Sequence, residues 1–112
     1  MGKMQQAKGR RGEEELRDIL RAYGYAIERG ASQSYGAEPD LRGLPGVHIE
    51  VKRQEKLQIS AALVQAKRDA ERFQDGLPAV FSRSNRQPWK VTMYLDDWLQ
   101  LYGGGQHETL LF

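Results

Sequence analysis

Cysteine is absent from the sequence, which excludes disulfides and thiolate-held metals. Histidine is scarce: His48 and His107 are too few for a zinc centre of the usual kind. Any metal must therefore be held through oxygen or imidazole donors. No apolar run reaches membrane-spanning length, and the first residues lack the apolar stretch of a secretory signal. We therefore expect a soluble protein with no membrane partner, located in the cytoplasm. Strong net charge is missing too: 17 Lys and Arg against 15 acids leave +2, which does not by itself argue for a nucleic-acid partner. The 112 residues suffice for one compact domain with a modest core and leave no room for a second.

The basic residues are unevenly spread. Lys3, Lys8, Arg10 and Arg11 crowd the start of the chain, and Arg83 and Arg86 share a late loop, so either cluster could neutralise phosphates. Residues 1–9 are polar and aperiodic and are expected to form a flexible basic arm. Residues 10–102 form the expected domain, and residues 103–112 a glycine-linked tail.

Within the domain, Leu16, Ile19, Leu20 and Tyr23 recur at helical spacing and predict a helix from Gly12 to Tyr23, closed by Gly24. Strands are expected at Tyr25–Arg29, Asp40–Arg42 and Val47–Arg53, the last two joined by a Gly43-Leu44-Pro45-Gly46 turn. Ser60 is placed to cap a second helix running to about Gln74, with Ala62, Leu63, Ala66, Ala70 and Phe73 on its apolar face. Strands over Leu77–Ser82 and Trp89–Tyr94 follow. A last short helix, capped by Asp96 or Asp97, carries Trp98, Leu99 and Tyr102. The order α-β-β-β-α-β-β-α describes an α/β fold, a mixed sheet flanked by helices. Many functions suit that class, so the site must decide.

The strand His48-Ile49-Glu50-Val51-Lys52 alternates. Val47, Ile49 and Val51 face one way, and His48, Glu50 and Lys52 the other. Glu50 and Lys52 therefore stand side by side, and the short turn brings Asp40 back toward them. Glu-x-Lys alone is commonplace on an exposed strand face; the Pro39-Asp40 before it makes the pattern more telling. Paired carboxylates hold Mg²⁺ or Mn²⁺ through oxygen, and a lysine beside them can offset charge on a phosphate under attack. This combination suits metal-assisted phosphodiester hydrolysis. A third acid would come from the Glu13-Glu14-Glu15 run. At about 100° per residue, Glu14 points away from the apolar sector, while Glu13 and Glu15 lie at its two edges and are not separated by the wheel.

The stretch Lys8-Gly9-Arg10-Arg11-Gly12-Glu13 at a helix start resembles archaeal-type Holliday junction resolvases and their phage relatives. Glu38-Pro39-Asp40-Leu41 and Ile49-Glu50-Val51-Lys52 are similar to the PD-(D/E)xK core of that group. The run from Gly43 to Arg53 and the block Asn85-Arg86-Gln87-Pro88-Trp89-Lys90-Val91-Thr92-Met93 resemble small phage and prophage PD-(D/E)xK nucleases. The resemblance spans about residues 8 to 102. It implies a restriction-endonuclease-like core and a Mg²⁺- or Mn²⁺-dependent endonuclease acting on branched DNA as a homodimer. It also implies that Glu13 is the helix-borne acid, that Glu13, Asp40, Glu50 and the Val51 carbonyl bind metal, and that Lys52 is the catalytic lysine. Arg29 and Ser32, with Ser34 as a rival for the serine, match positions that support catalysis in the resolvases.

Other residues are weaker candidates. Gln65 and Lys67 lie on the helix expected to flank the site, and Arg83, Asn85 and Arg86 could grip phosphate. His48 is expected at the cleft rim and His107 to be inert. Trp89 and Trp98 are expected in the core. The tail Glu108-Thr109-Leu110-Leu111-Phe112 resembles the C-terminal motif by which bacterial repair enzymes hold the sliding clamp, with Glu108 in place of the usual glutamine; packing on its own domain or on a dimer partner is the alternative. The alternatives to a junction endonuclease are a nickase, flap or single-strand nuclease, or a catalytically silent DNA-binding module on the same fold.

Overall fold

The computed structural model describes residues 2–30 and 38–104, with backbone alone for residues 2–8. It is an α/β fold whose elements follow the expected order: α1 (Gly2–Ala22), β1 (Glu28–Arg29), β2 (Leu41–Arg42), β3 (Val47–Arg53), α2 (Ile59–Phe73), β4 (Leu77–Arg83), β5 (Lys90–Thr92) and α3 (Leu95–Tyr102). Among the described residues, five strands form one mixed sheet in the order β1-β2-β3-β4-β5. Of the pairings described, only β3 and β4 run parallel. A parallel pair needs a crossover, and α2 supplies it; the antiparallel neighbours need only turns and loops.

The alternation along β3 divides the interior in two. Val47, Ile49 and Val51 join Leu16, Ile27, Leu41, Ala79 and Phe81 in a core on the α1 side. Val80 meets Ala62 and Ala66 of α2 on the other side. Ala62, Ala66 and Ala70 are the buried residues of α2. Small side chains along this stripe let α2 approach the sheet closely, so polar residues beside the stripe can reach the α2-facing side of β3.

Several boundaries depart from the sequence expectation. Helix α1 begins at Gly2, so it takes in the segment expected to be a flexible arm. Lys3, Met4, Gln5, Gln6, Ala7 and Lys8 are all good helix formers, and apolar periodicity reports packing rather than helicity. The helix ends as expected: Gly24 has φ 101° and donates to the Arg21 carbonyl at 2.9 Å, while Tyr25 N–H reaches the Leu20 carbonyl at 3.2 Å. That pair of bonds is a Schellman termination. The N-cap of α2 is Gln58 rather than Ser60, and that of α3 is Tyr94; neither makes a side-chain cap. Asp96 and Asp97 lie instead in the first turn of α3, where their charge opposes the positive end of the helix dipole. Trp98, expected in the core, is about half exposed, as are Leu99 and Tyr102 beside it, and Trp98 stacks on Tyr102 with ring centroids 5.0 Å apart. Trp89 is half-buried and packs against the α1-side core. Among the described residues no helix is long and apolar enough to cross a membrane. Ser32, Ser34, His107 and Glu108–Phe112 lie outside the described residues, as does the side chain of Lys8.

Gly24 and Gly43 test local sterics against backbone strain. Both have positive φ, 101° and 114°, but a Cβ at Gly24 meets nothing within 4 Å, whereas one at Gly43 would collide with the Ala26 carbonyl oxygen. Gly24→Ala is expected to cost about 1–2 kcal/mol from the left-handed conformation alone. Gly43→Ala should cost at least about 1 kcal/mol more, because backbone must move as well. Urea unfolding of the two variants measures the difference; equal midpoints would contradict it.

Candidate active site

Strand β3 is paired on both sides, and this places Glu50 well inside the molecule, only 5 % exposed. Lys52, two residues on, points to the same side of the sheet; its Nζ is 4.0 Å from Glu50 Oε2. Gln65 of α2 spans the pair: its Nε2 donates to Glu50 Oε2 at 3.3 Å, and its Oε1 accepts from Lys52 Nζ at 3.1 Å. Asp40 stands just before β2, whose Leu41 pairs with Ile49. Asp40 Oδ2 accepts the Val51 backbone N–H at 3.0 Å, which pins its carboxylate to β3. Residues that the sequence pattern placed together are thus together, and Gln65 joins them.

Glu13 arrives from α1. Its Oε1 accepts from Arg29 Nε at 3.1 Å and lies 3.1 Å from the Nη2 of the same guanidinium. Glu15 turns elsewhere: its Oε1 accepts from Trp89 Nε1 at 2.7 Å and pairs with Arg83. The two edges of the α1 wheel are therefore occupied differently. Glu13 is near enough to Glu50 to feel its charge, while Glu15 ties the helix to the start of β5.

Burial raises the Glu13 carboxyl above its usual range, against the opposing pull of Arg29. Asp40 is pushed up to about 7, by burial first and then by the Glu50 carboxylate, with Glu13 adding to the effect. The Val51 N–H and Lys52 act in the opposite direction and do not prevail. Three carboxyl groups thus share a small volume with Arg29 and Lys52 at its margins. Oxygen donors that repel one another in this way suit a hard divalent cation such as Mg²⁺ or Mn²⁺, which would satisfy the charges that burial and mutual repulsion penalise.

His48 is not at a cleft rim. It is 1 % exposed, stacked at 6.2 Å on Phe73, with Nδ1 2.9 Å from both oxygens of Asp75 and Nε2 3.3 Å from Glu50 Oε1. Burial disfavours its charged form, yet the hydrogen bonds to Glu50 and Asp75 outweigh burial and raise its pKa above the usual value. Together, His48, Glu50 and Asp69 could hold a metal ion: one ligand atom from each lies within 4.8 Å of the others. The strand pattern puts His48 on this face, but nothing in the sequence marks Asp69 or Asp75. The alternation of β3 was the available signal, since a histidine flanking Glu50 on a doubly paired strand has nowhere to point but inward.

The remaining candidates scatter. Arg83 is held by Glu15 and donates Nε to the Gln87 carbonyl at 2.7 Å. Asn85 accepts from Arg53 at 2.8 Å, and its N–H is bound by Glu55. Arg86 is exposed at a turn with φ 62°. Lys67 lies over the Tyr94 ring, 5.9 Å from its centroid, rather than beside Glu50. Arg10 and Arg11 are exposed on α1, just before Glu13. Compared with known family models and with curated proteins, the chain matches none.

The elevated Asp40 pKa has a consequence for stability. Its folded value of about 7 lies above the unfolded 3.8, so the folded state holds the proton more tightly. Stability therefore falls as pH rises from about 4 to about 7, and at higher pH the ionised carboxylate weighs against the fold. Asp40→Asn keeps an acceptor for the Val51 N–H and removes the charge. In chelator, this variant should melt higher than the parent at pH 8, with the difference shrinking toward pH 5. A variant less stable than the parent at pH 8 would show that Asp40 contributes to the fold as an anion.

Proposed function

We propose that the protein is a Mg²⁺- or Mn²⁺-dependent endodeoxyribonuclease, with Glu13, Asp40, Glu50 and Lys52 as its working residues. The observation that carries this reading is the convergence of three carboxyl groups and one lysine from α1, β3 and the segment just before β2. Folding alone gives little reason to gather them, because each buried carboxylate costs stability unless its charge is met. The metal would be held by Asp40 and Glu50, with Glu13 and the Val51 carbonyl as further oxygen donors. When bound, such an ion supplies Lewis acidity at a phosphate oxygen and lowers the pKa of water.

The chain's own side chains supply the rest. Lys52 carries a positive charge next to Glu50, positioned to offset negative charge that develops on the phosphate as the P–O bond breaks. Gln65 holds both Lys52 and Glu50, so the ammonium is kept in place without collapsing onto the carboxylate. Arg29 balances Glu13. Arg10 stands one helical turn before Glu13 and, with Arg11, offers cations to phosphates flanking the cut; a part for Lys8 rests on the sequence alone. Branched DNA as the preferred substrate, and a homodimer as the active form, rest on the resemblance to junction resolvases. A sliding-clamp contact through Glu108–Phe112 rests on the tail sequence alone.

The test is cleavage of a four-way junction beside linear duplex, flap and single-stranded DNA, with Mg²⁺, Mn²⁺ or chelator. Cleavage should need metal and be fastest on the junction. Asp40→Asn, Glu50→Gln and Lys52→Ala should each slow it by about 10²-fold or more while leaving DNA binding largely intact. Equal cutting of all four substrates would refute junction preference. Binding without cutting in either metal would identify a silent DNA-binding module.

A further inference from the structure

Glu50 offers its two oxygens to different neighbours. Oε2 belongs to Gln65 and Lys52, whereas Oε1 lies 3.3 Å from His48 Nε2. The imidazole is fixed from behind, because both Asp75 oxygens sit 2.9 Å from Nδ1. A carboxylate on one ring nitrogen, directing the other toward a shared point, is the arrangement by which proteins orient a metal-binding histidine. Asp69 lies four residues after Gln65 along α2 and so on the same helical face. Among the described residues Asp69 takes part in no hydrogen bond or ion pair. Its carboxylate is nevertheless partly buried, and one of its oxygens comes within 4.8 Å of the ligand atoms of His48 and Glu50. Three carboxylates thus face one imidazole, so with the acids ionised the group stays anionic even if the ring is protonated.

We propose that His48, Glu50 and Asp69 form a second cation site, separate from the one that includes Asp40 and sharing Glu50 with it, with Asp75 orienting His48. An imidazole donor favours first-row transition ions, whereas Mg²⁺ keeps to oxygen. The site therefore takes Co²⁺, Mn²⁺ or Zn²⁺ in preference to Mg²⁺. It lies between β3 and α2, and it stands on its own ligands whether or not the chain cuts DNA.

Calorimetric titration of the full-length protein with Co²⁺ and with Mg²⁺, in the absence of DNA, tests this. Asp69→Asn is the main variant, since it alters a partly buried residue without a described partner and should fold. It should weaken Co²⁺ binding at least tenfold and leave Mg²⁺ binding unchanged. Asp40→Asn should show the reverse, losing Mg²⁺ while keeping Co²⁺. As a second reading, Mn²⁺ added to the Asp40→Asn protein should broaden the His48 ring resonances in an NMR spectrum. Co²⁺ binding unchanged by Asp69→Asn, or sharp His48 resonances in Mn²⁺, would overturn the proposal. Failure of DNA cleavage with Mg²⁺ would leave these outcomes untouched, so the two readings fail separately.

Discussion

A carboxylate in the middle of a sheet is costly, and the arrangement around Glu50 is organised by that cost. Moving an ionised group out of water is penalised by several kcal/mol unless charge or hydrogen bonds replace the lost hydration. Here the replacement comes from three side chains. Gln65 and Lys52 take one oxygen, His48 faces the other, and Asp75 holds the ring that does so. Lys52 and His48 share β3 with Glu50, while Gln65 comes from α2 and Asp75 from the segment between α2 and β4, so these contacts bind β3 to both. The alanine stripe of α2 has its purpose in this setting. Larger residues at Ala62, Ala66 or Ala70 would push the helix off the sheet and carry Gln65 and Asp69 out of reach.

The same strand organises the other side. Its apolar alternate residues form the α1-side core with Leu16, and α1 thereby brings Glu13 to the sheet. Asp40 is drawn in by the Val51 N–H, a backbone donor on β3 itself. Carboxyl groups are thus delivered by packing and by the ladder rather than by attraction to one another, and the cost appears as proton affinity. Asp40 has its pKa raised to about 7, and burial also raises that of Glu13. A chain under selection for stability alone would have no use for this. A chain that binds a divalent ion would, because the ion is bound most tightly where its ligands are most poorly satisfied without it.

How much was legible in the sequence varied with the range of the interaction. The order of all eight elements, the hydrophobic faces of β3 and α2, and the side-by-side placement of Glu50 and Lys52 follow from local periodicity. The approach of Asp40 followed from a turn of four residues. Glu13 and Glu15 sit at opposite edges of one apolar sector, so the wheel could not choose; the choice depends on Arg29 and on Trp89, far along the chain. Asp75 meets His48 across 27 residues, a distance no local pattern bridges. The start of α1 was missed because a polar helix carries no apolar period. The inward packing expected of Trp98 was wrong because α3 presents an aromatic face to solvent instead of burying it.

The central claim is that Asp40 and Glu50 are gathered for a divalent ion. Crystals of the protein grown with Mn²⁺ test it most directly, through anomalous scattering from the metal. The account predicts a peak in contact with a carboxylate oxygen of Asp40 and one of Glu50. Well-ordered carboxylates with no anomalous peak between them, at a metal concentration that saturates binding in solution, would contradict it.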